Sequence, residues 1–290
     1  MIVVAGPTGV GKSELALRLA EATRGEIVNF DSIQLYRGFD IGSAKPSPEV
    51  RARVAHHLFD VLDAADEFNA AEYARLARPL LDKIERPILV GGTFFYLRAL
   101  LAGLPEMPAR DERIRSRLRK ISPQRLHRWL TKVDPKSGRT IAPTDRHRVE
   151  RALEVWIIGG QPISNWERPS VELPAVKIAL NLERSKLNEL IDARVERMYR
   201  DGLVEETRAL LSRYPGSARP FSAIGYKEAA AVIAGQITLE QAMAETRRRT
   251  RAYAKRQLTW LRAERNVHWL DAADRDRAYA KAIQFVEGES

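Results

Sequence analysis

The residues with the clearest chemical capacity stand at the start of the chain. Gly6-Pro7-Thr8-Gly9-Val10-Gly11-Lys12-Ser13 is a G-x-x-x-x-G-K-S loop, entered from the apolar run Ile2-Val3-Val4-Ala5. Its glycines let backbone N–H groups turn inward around phosphate oxygens. Lys12 adds a point charge, Ser13 offers a hydroxyl to Mg²⁺, and a helix beginning near Ser13 would direct its positive end at the anion. Most such loops hold ATP or GTP, so the motif sets the ligand class and leaves its identity to the rest of the chain.

Asp31 follows a second apolar run, Ile27-Val28-Asn29-Phe30. It reads as a magnesium-binding carboxylate, as a general base over the ligand of the loop, or as a helix cap; the carboxyl end of a strand favours a role in a site. Pro87-Ile88-Leu89-Val90 ends instead in Gly91-Gly92-Thr93, which sets a hydroxyl beside backbone that a ligand can approach closely. A nucleotide hydrolase would therefore need Asp31 for its metal and a base from elsewhere. Adjacent His56 and His57 point apart on any regular element and have no third ligand at zinc spacing, which favours a structural or hydrogen-bonding role. Arg194, within Arg194-Val195-Glu196-Arg197-Met198, is either an arginine reaching transferred phosphates or part of a solvated helix face.

These groups need a scaffold, and the first 104 residues supply alternating short apolar runs and helical stretches. Strands are expected at Ile2–Ala5, Glu26–Phe30 and Pro87–Val90, and helices at 12–24, 70–84 and 94–102. That is an α/β pattern, a parallel sheet with helices on both faces, whose ligands sit at the carboxyl ends of the strands. Leu104-Pro105-Glu106-Met107-Pro108 punctuates the chain, and the basic stretch after it is helical in period, with Gly159-Gly160-Gln161-Pro162 closing a helix. Val176–Leu182 reads as a return strand, followed by helices at 186–200, 204–213, 226–234 and 239–264. The division expected is 1–104 as the first part of the phosphate-loop core, 105–170 as an all-helical insertion domain, and 171–290 as completion of the core.

With 290 residues, 44% hydrophobic and 30% charged, the chain can bury a large core plus a smaller insert. It has no cysteine, which excludes disulfides, cysteine–zinc sites and thiol catalysis. No apolar run approaches the roughly 20 residues that span a bilayer, and the start does not read as a signal peptide, so a cytoplasmic protein without a membrane partner is expected.

The net charge of +10 is segregated. Residues 110–151 carry 14 Lys/Arg against 5 Asp/Glu, and residues 247–265 carry 8 against 1. Such clustering is the footprint of a polyanion. On a helical wheel Arg247, Arg248, Arg251, Lys255 and Arg262 share one arc, while Tyr253, Trp260 and Leu261 lie on another side. Arg251, Lys255, Arg256 and Gln257 are the candidates here for contact with a phosphate backbone.

Together these segments resemble the tRNA dimethylallyltransferases, or isopentenyl-tRNA transferases, of bacterial type. The resemblance rests on G-P-T-G-V-G-K-S at 6–13, D-S-I-Q-L-Y-R-G-F-D-I-G-S-A-K-P at 31–46, H-H-L-F-D at 56–60 and G-G-T-F-F-Y-L at 91–97. It continues through R-H-R-V-E-R-A-L-E-V at 146–155, I-G-Y-K-E at 224–228 and T-R-A-Y-A-K-R-Q-L-T-W at 250–260. It implies transfer of a dimethylallyl group from dimethylallyl diphosphate to N6 of adenine 37, beside the anticodon of tRNAs reading codons that start with U. The loop Gly6–Ser13, with Arg194, would then hold a diphosphate leaving group together with Mg²⁺ at Ser13. The resemblance makes Asp31 the general base and Thr93 the residue that orients it. It assigns Ser32, Ile33, Gln34 and Arg115 to the anticodon stem-loop, and His147, Arg148, Val149, Glu150 and Arg151 to a further RNA contact. It also implies a monomer and a flipped target base. Phe95 stands where the family often has an aliphatic residue, Arg146 where it commonly has asparagine, and no appended zinc finger follows the core. The alternatives are a phosphate-loop kinase of a small metabolite, which the two basic segments do not require, and a nucleic-acid-dependent ATPase, which lacks its glutamate.

Overall fold

The computed structural model describes residues 1–167 and 172–288. In chain order the elements are β1 (Ile2–Ala5), α1 (Lys12–Thr23), β2 (Glu26–Asn29), α2 (Pro48–Arg51), β3 (His56–His57), α3 (Ala70–Leu81), β4 (Pro87–Val90) and α4 (Phe94–Ala102). Then come α5 (Glu112–Arg119), α6 (Pro123–Val133), α7 (Pro135–Thr140), α8 (Arg146–Gly159), β5 (Val176–Asn181), α9 (Arg184–Arg200), α10 (Leu203–Leu211) and α11 (Tyr226–Ile233). Last are α12 (Leu239–Arg262), β6 (Val267–Asp271) and α13 (Arg275–Glu287).

The strands form one sheet in the order β3-β2-β4-β1-β5-β6, with every pairing parallel. All residues of β1 and β4 are buried, as strands covered on both faces must be, and this explains why their sequences are continuous apolar runs rather than alternations. Ile2 stands opposite Ile88 on one side and Val176 on the other. Asn29 lies opposite Val90. This register brings the segments after Ala5, Asn29 and Val90 out at the same edge of the sheet.

The chain divides into two compact units, Met1–Leu101 with Leu173–Ser290, and Ala102–Glu172. The second has its own core of Leu118, Leu126, Leu130, Val149, Ala152 and Leu153, flanked by Ile114, Trp129 and Ile163. Its described residues contain helices and no strand. The boundary expected at 170/171 lies outside the described residues. Helix α8 stops at Gly160, whose φ of 69° is the left-handed closure that glycine allows.

Sequence reading continues no strand beyond Leu182, and here the structure differs. β6 pairs with β5 from Lys177↔Val267 to Asn181↔Asp271. It is an edge strand with Leu270 buried and Trp269 41% exposed, so it shows neither the apolar run of an inner strand nor a long alternation. His56 and His57 likewise form the short opposite edge. Among the described residues no helix is long and apolar enough to cross a membrane.

Candidate active site

The loop after β1 is built on three glycines with left-handed backbones: Gly6 (φ 145°), Gly9 (85°) and Gly11 (101°). A Cβ on Gly6 would stand 2.8 Å from the Leu180 carbonyl oxygen of β5, so that position has no room for a side chain. Lys12 Nζ donates to the Pro7 carbonyl at 2.8 Å, folded back over the loop. Burial, reinforced by the guanidinium of Arg194 on α9, pushes the Lys12 ammonium down to about 7, with Asp31 opposing. Burial also lowers Arg194, while Asp31 again favours its charge. Arg194 makes no hydrogen bond or ion pair among the described residues. Two neighbouring cations, one on the loop and one on α9, suit an anion, which would offset both the burial and the repulsion that lower the Lys12 ammonium.

Asp31 lies just past β2 and is held from behind. Its N–H donates to Asn29 Oδ1 at 2.8 Å, and Asn29 Nδ2 donates to the Asp31 and Leu58 carbonyls at 3.2 and 2.8 Å. Asp31 Oδ1 accepts from the Ile33 N–H at 3.0 Å. From the end of β4, Thr93 Oγ1 accepts from the Ser32 N–H at 3.0 Å and donates to Ser32 Oγ at 3.1 Å. Gly91 and Gly92 are required by this closeness. A Cβ on Gly91 would meet Phe30 backbone at 2.6 Å, and one on Gly92 would lie 2.7 Å from Gln257 Nε2 and 3.2 Å from Asp31 Oδ2.

Helix α12 seals the arrangement. Tyr253 Oη donates to the Gly92 carbonyl at 2.7 Å, and Gln257 Nε2 donates to the same oxygen at 3.0 Å. Gln257 Oε1 accepts from the Thr8 N–H at 2.8 Å. Burial, aided by the Asp31 charge, pushes the Tyr253 hydroxyl up, so it remains a donor. The candidate base, its threonine neighbour and the phosphate loop thus lie together at the carboxyl ends of β1, β2 and β4.

Gln34 sits in the loop after Asp31, its Nε2 donating to the Ser43 and Ala44 carbonyls at 3.1 and 3.2 Å. What holds that loop is a residue sequence reading passes over. Glu206 on α10 accepts from the Asp40, Ile41 and Gly42 N–H groups at 3.3, 2.9 and 3.5 Å, and from Tyr226 Oη at 2.6 Å. Burial raises its carboxyl despite these donors. An acidic residue in the first turn of a helix is so ordinary that no sequence signal marks it.

Several candidates for nucleic-acid contact are turned inward. Arg115 is 5% exposed and forks onto Glu154 at 2.8 and 2.9 Å. Arg151 closes the other side of Glu154 at 2.6 Å and donates to the Pro108 carbonyl at 2.8 Å. Burial opposes charge on Glu154, yet the hydrogen bonds from Arg115 and Arg151 pull its carboxyl down to about 2. Val149 belongs to the apolar core, and Glu150 is buried against Arg146 at 2.6 Å. The polar or apolar groups of these four are engaged within the unit. His147 and Arg148 remain exposed on the first turn of α8. Arg146 caps α5, donating to the Leu118, Arg119 and Ile121 carbonyls at 3.2, 2.7 and 3.1 Å, a task asparagine is too short to perform.

On α12 the basic arc is largely neutralised at home. Arg247 pairs with Glu196, Arg248 with Glu245, and Arg251 with Asp192. Lys255 and Arg256 remain exposed, whereas Gln257, 2% exposed, bridges the Thr8 N–H and the Gly92 carbonyl. His57 lies 2.6 Å from a Glu26 carboxylate oxygen and His56 Nδ1 lies 2.8 Å from the Val54 carbonyl, consistent with a hydrogen-bonding role. Among the described residues no cluster of three or more histidine, aspartate or glutamate side chains could hold a metal. The exposed Ser13 hydroxyl at the start of α1 fits a cation that takes its other ligands from phosphate oxygens and water, the habit of Mg²⁺.

Against known proteins, a family model described as "IPP transferase" matches residues 34–264, and one described as "Isopentenyl transferase" matches residues 1–58. The chain is 44% identical to a tRNA dimethylallyltransferase of Geobacter sulfurreducens over 284 residues, covering 93% of this chain and 91% of the relative. It is 42% identical to that of Koribacter versatilis over 300 residues, covering 99% and 98%. It is also similar to the crystal structure of a tRNA isopentenylpyrophosphate transferase from Bacillus halodurans, with a TM-score of 0.74, 36% identity and coverage of 99% and 95%. A eukaryotic dimethylallyltransferase acting on tRNA gives a TM-score of 0.83 at 27% identity, covering 99% of this chain and 79% of that one.

Proposed function

The chain belongs to the IPP transferase family, and from that premise we propose that it is a tRNA dimethylallyltransferase, moving the dimethylallyl group of dimethylallyl diphosphate to N6 of the adenine at position 37. The observation that carries this reading is a shared neighbourhood: Asp31 stands close enough to the phosphate loop for its charge to act on both Lys12 and Arg194. A leaving diphosphate and a proton-accepting carboxylate are needed on either side of a single transferred carbon, and this chain offers both.

In this reading the C–O bond of the donor breaks as N6 attacks the allylic carbon. The inward N–H groups of the loop, Lys12 and Arg194 stabilise the charge that grows on the diphosphate. Asp31 takes the proton from the exocyclic amine; Thr93, through both hydrogen bonds to Ser32, holds the segment next to that carboxylate, and the Ile33 N–H bonds the carboxylate itself. Ser13 would hold Mg²⁺, which supplies further neutralisation of the diphosphate when bound. The target base must leave its stack to reach this depth. The candidates for contact with tRNA are Ser32, Ile33 and Gln34 in the loop after β2 and the exposed His147, Arg148, Lys255 and Arg256.

The test is incubation with radiolabelled dimethylallyl diphosphate and unmodified tRNA. Label is expected in the RNA. Its absence, alongside phosphoryl transfer from ATP to a small metabolite, would overturn the reading in favour of a kinase.

A further inference from the structure

One amide of the phosphate loop is already spent. The Thr8 N–H lies in the motif whose amides turn toward phosphate, yet it donates to Gln257 Oε1 at 2.8 Å. The other end of the same side chain donates to the Gly92 carbonyl at 3.0 Å. Thr8 follows β1 and Gly92 follows β4, and these strands are neighbours in the sheet. The Gln257 amide therefore spans the gap between their carboxyl ends, with Tyr253 Oη fixing the same Gly92 oxygen at 2.7 Å.

That gap is where a longer phosphate chain would have to go. The N-terminus of α1, entered through left-handed Gly11, is the place where a diphosphate would sit on unpaired backbone N–H groups. A third phosphoryl group extends beyond the loop toward the end of the adjacent strand, the place where phosphate-loop nucleotide enzymes put the transferred phosphoryl and its metal-bound aspartate. Here β4 ends in glycines rather than an acid, and a carboxamide stands across the opening. Its Oε1 is a lone-pair acceptor that cannot accept from a phosphate oxygen, and it takes up the donor such a phosphate would need.

We infer that Gln257 is a specificity-determining residue that closes the phosphate cradle at Thr8, so that it takes a diphosphate and rejects a triphosphate. The inference deepens the proposed function and rests on it for the natural donor, but the discrimination it predicts is a property of the loop alone. Gln257 acts by occupying space and a donor, and its two hydrogen bonds make the closure rigid.

The experiment measures binding of inorganic diphosphate and inorganic tripolyphosphate to the full chain by calorimetry, with Mg²⁺ and without tRNA or prenyl donor. The native protein is expected to prefer diphosphate by at least about tenfold. Gln257→Ala and the one-methylene-shorter Gln257→Asn are expected to bring that ratio to within about threefold, chiefly by tighter tripolyphosphate binding. Melting temperatures establish that each variant is folded. A purely structural role would weaken both anions alike and leave the ratio where it was, and that result in either folded variant overturns the inference, as does a native protein without preference. Label transfer to tRNA by the native protein is measured separately. A chain that prefers diphosphate but prenylates no RNA would sink the proposed function and leave the role of Gln257 standing.

Discussion

Lys12 carries the sharpest consequence at the level of single side chains. With its ammonium pushed down to about 7, the free protein at pH 8 holds mostly the neutral amine. A bound diphosphate restores the charge, so binding takes up a proton above pH 7, and affinity falls as pH rises, by up to about tenfold per unit. Calorimetry in buffers of different ionisation enthalpy should report uptake close to one proton at pH 8, and none in Lys12→Met. Asp31 makes a different demand. Asp31→Ala should lower the rate of prenyl transfer by about 10²–10⁴ while tRNA affinity, measured by filter binding, stays within about threefold. A large loss of affinity would make Asp31 an RNA contact instead.

Buried charges decide the outcome at the level of elements. Arg115→Ala leaves Glu154 buried with one partner fewer and should destabilise the helical unit by about 3 kcal/mol or more in urea unfolding, with the salt dependence of tRNA binding unchanged. Glu206→Ala orphans the Asp40 and Ile41 N–H groups, while the Gly42 N–H keeps Tyr226 Oη at 3.1 Å, and should cost about 1–3 kcal/mol. Because that loop carries the acceptors of Gln34, the same variant should raise KM for tRNA more than it lowers kcat. Sequence patterning reveals β1 and β4 because strands covered on both faces are continuous apolar runs, β2 and β5 because apolar residues still dominate them, and the glycines because their spacing is a backbone requirement. It conceals β6, whose edge position relaxes that requirement. It conceals the fates of Arg115 and Gln257 for a different reason: composition reports that a side chain is polar, whereas its role depends on which way it turns. Glu206 is hidden altogether, since its partners are amides that every residue possesses.

The net charge of +10 is distributed with purpose over the whole molecule, though less of it is free than a count suggests. The carboxylates of α9 and α12 absorb much of the C-terminal cluster, while Arg113, Arg117, Lys120, Arg125, Arg128, Lys132 and Arg148 stay exposed on the helical unit. Binding of tRNA should therefore weaken steeply with salt. Arg148→Ala should reduce the slope of log K against log [salt] by about one and weaken all tRNAs alike. An unchanged slope would return the exposed arginines to the role of solubilising surface. The order of the sheet adds a consequence for biosynthesis. β1 sits between β4 and β5, and the whole helical unit is encoded between those two strands. On a ribosome adding about 5–20 residues per second, the nascent chain can zip β3, β2, β4 and β1 together early and must then wait several seconds with one side of β1 bare. Leu180, which backs Gly6, and Gln257, which holds the Thr8 N–H, arrive only afterwards. The first motif translated is thus among the last to take shape, and a stalled chain would offer chaperones an open strand edge instead of a phosphate site.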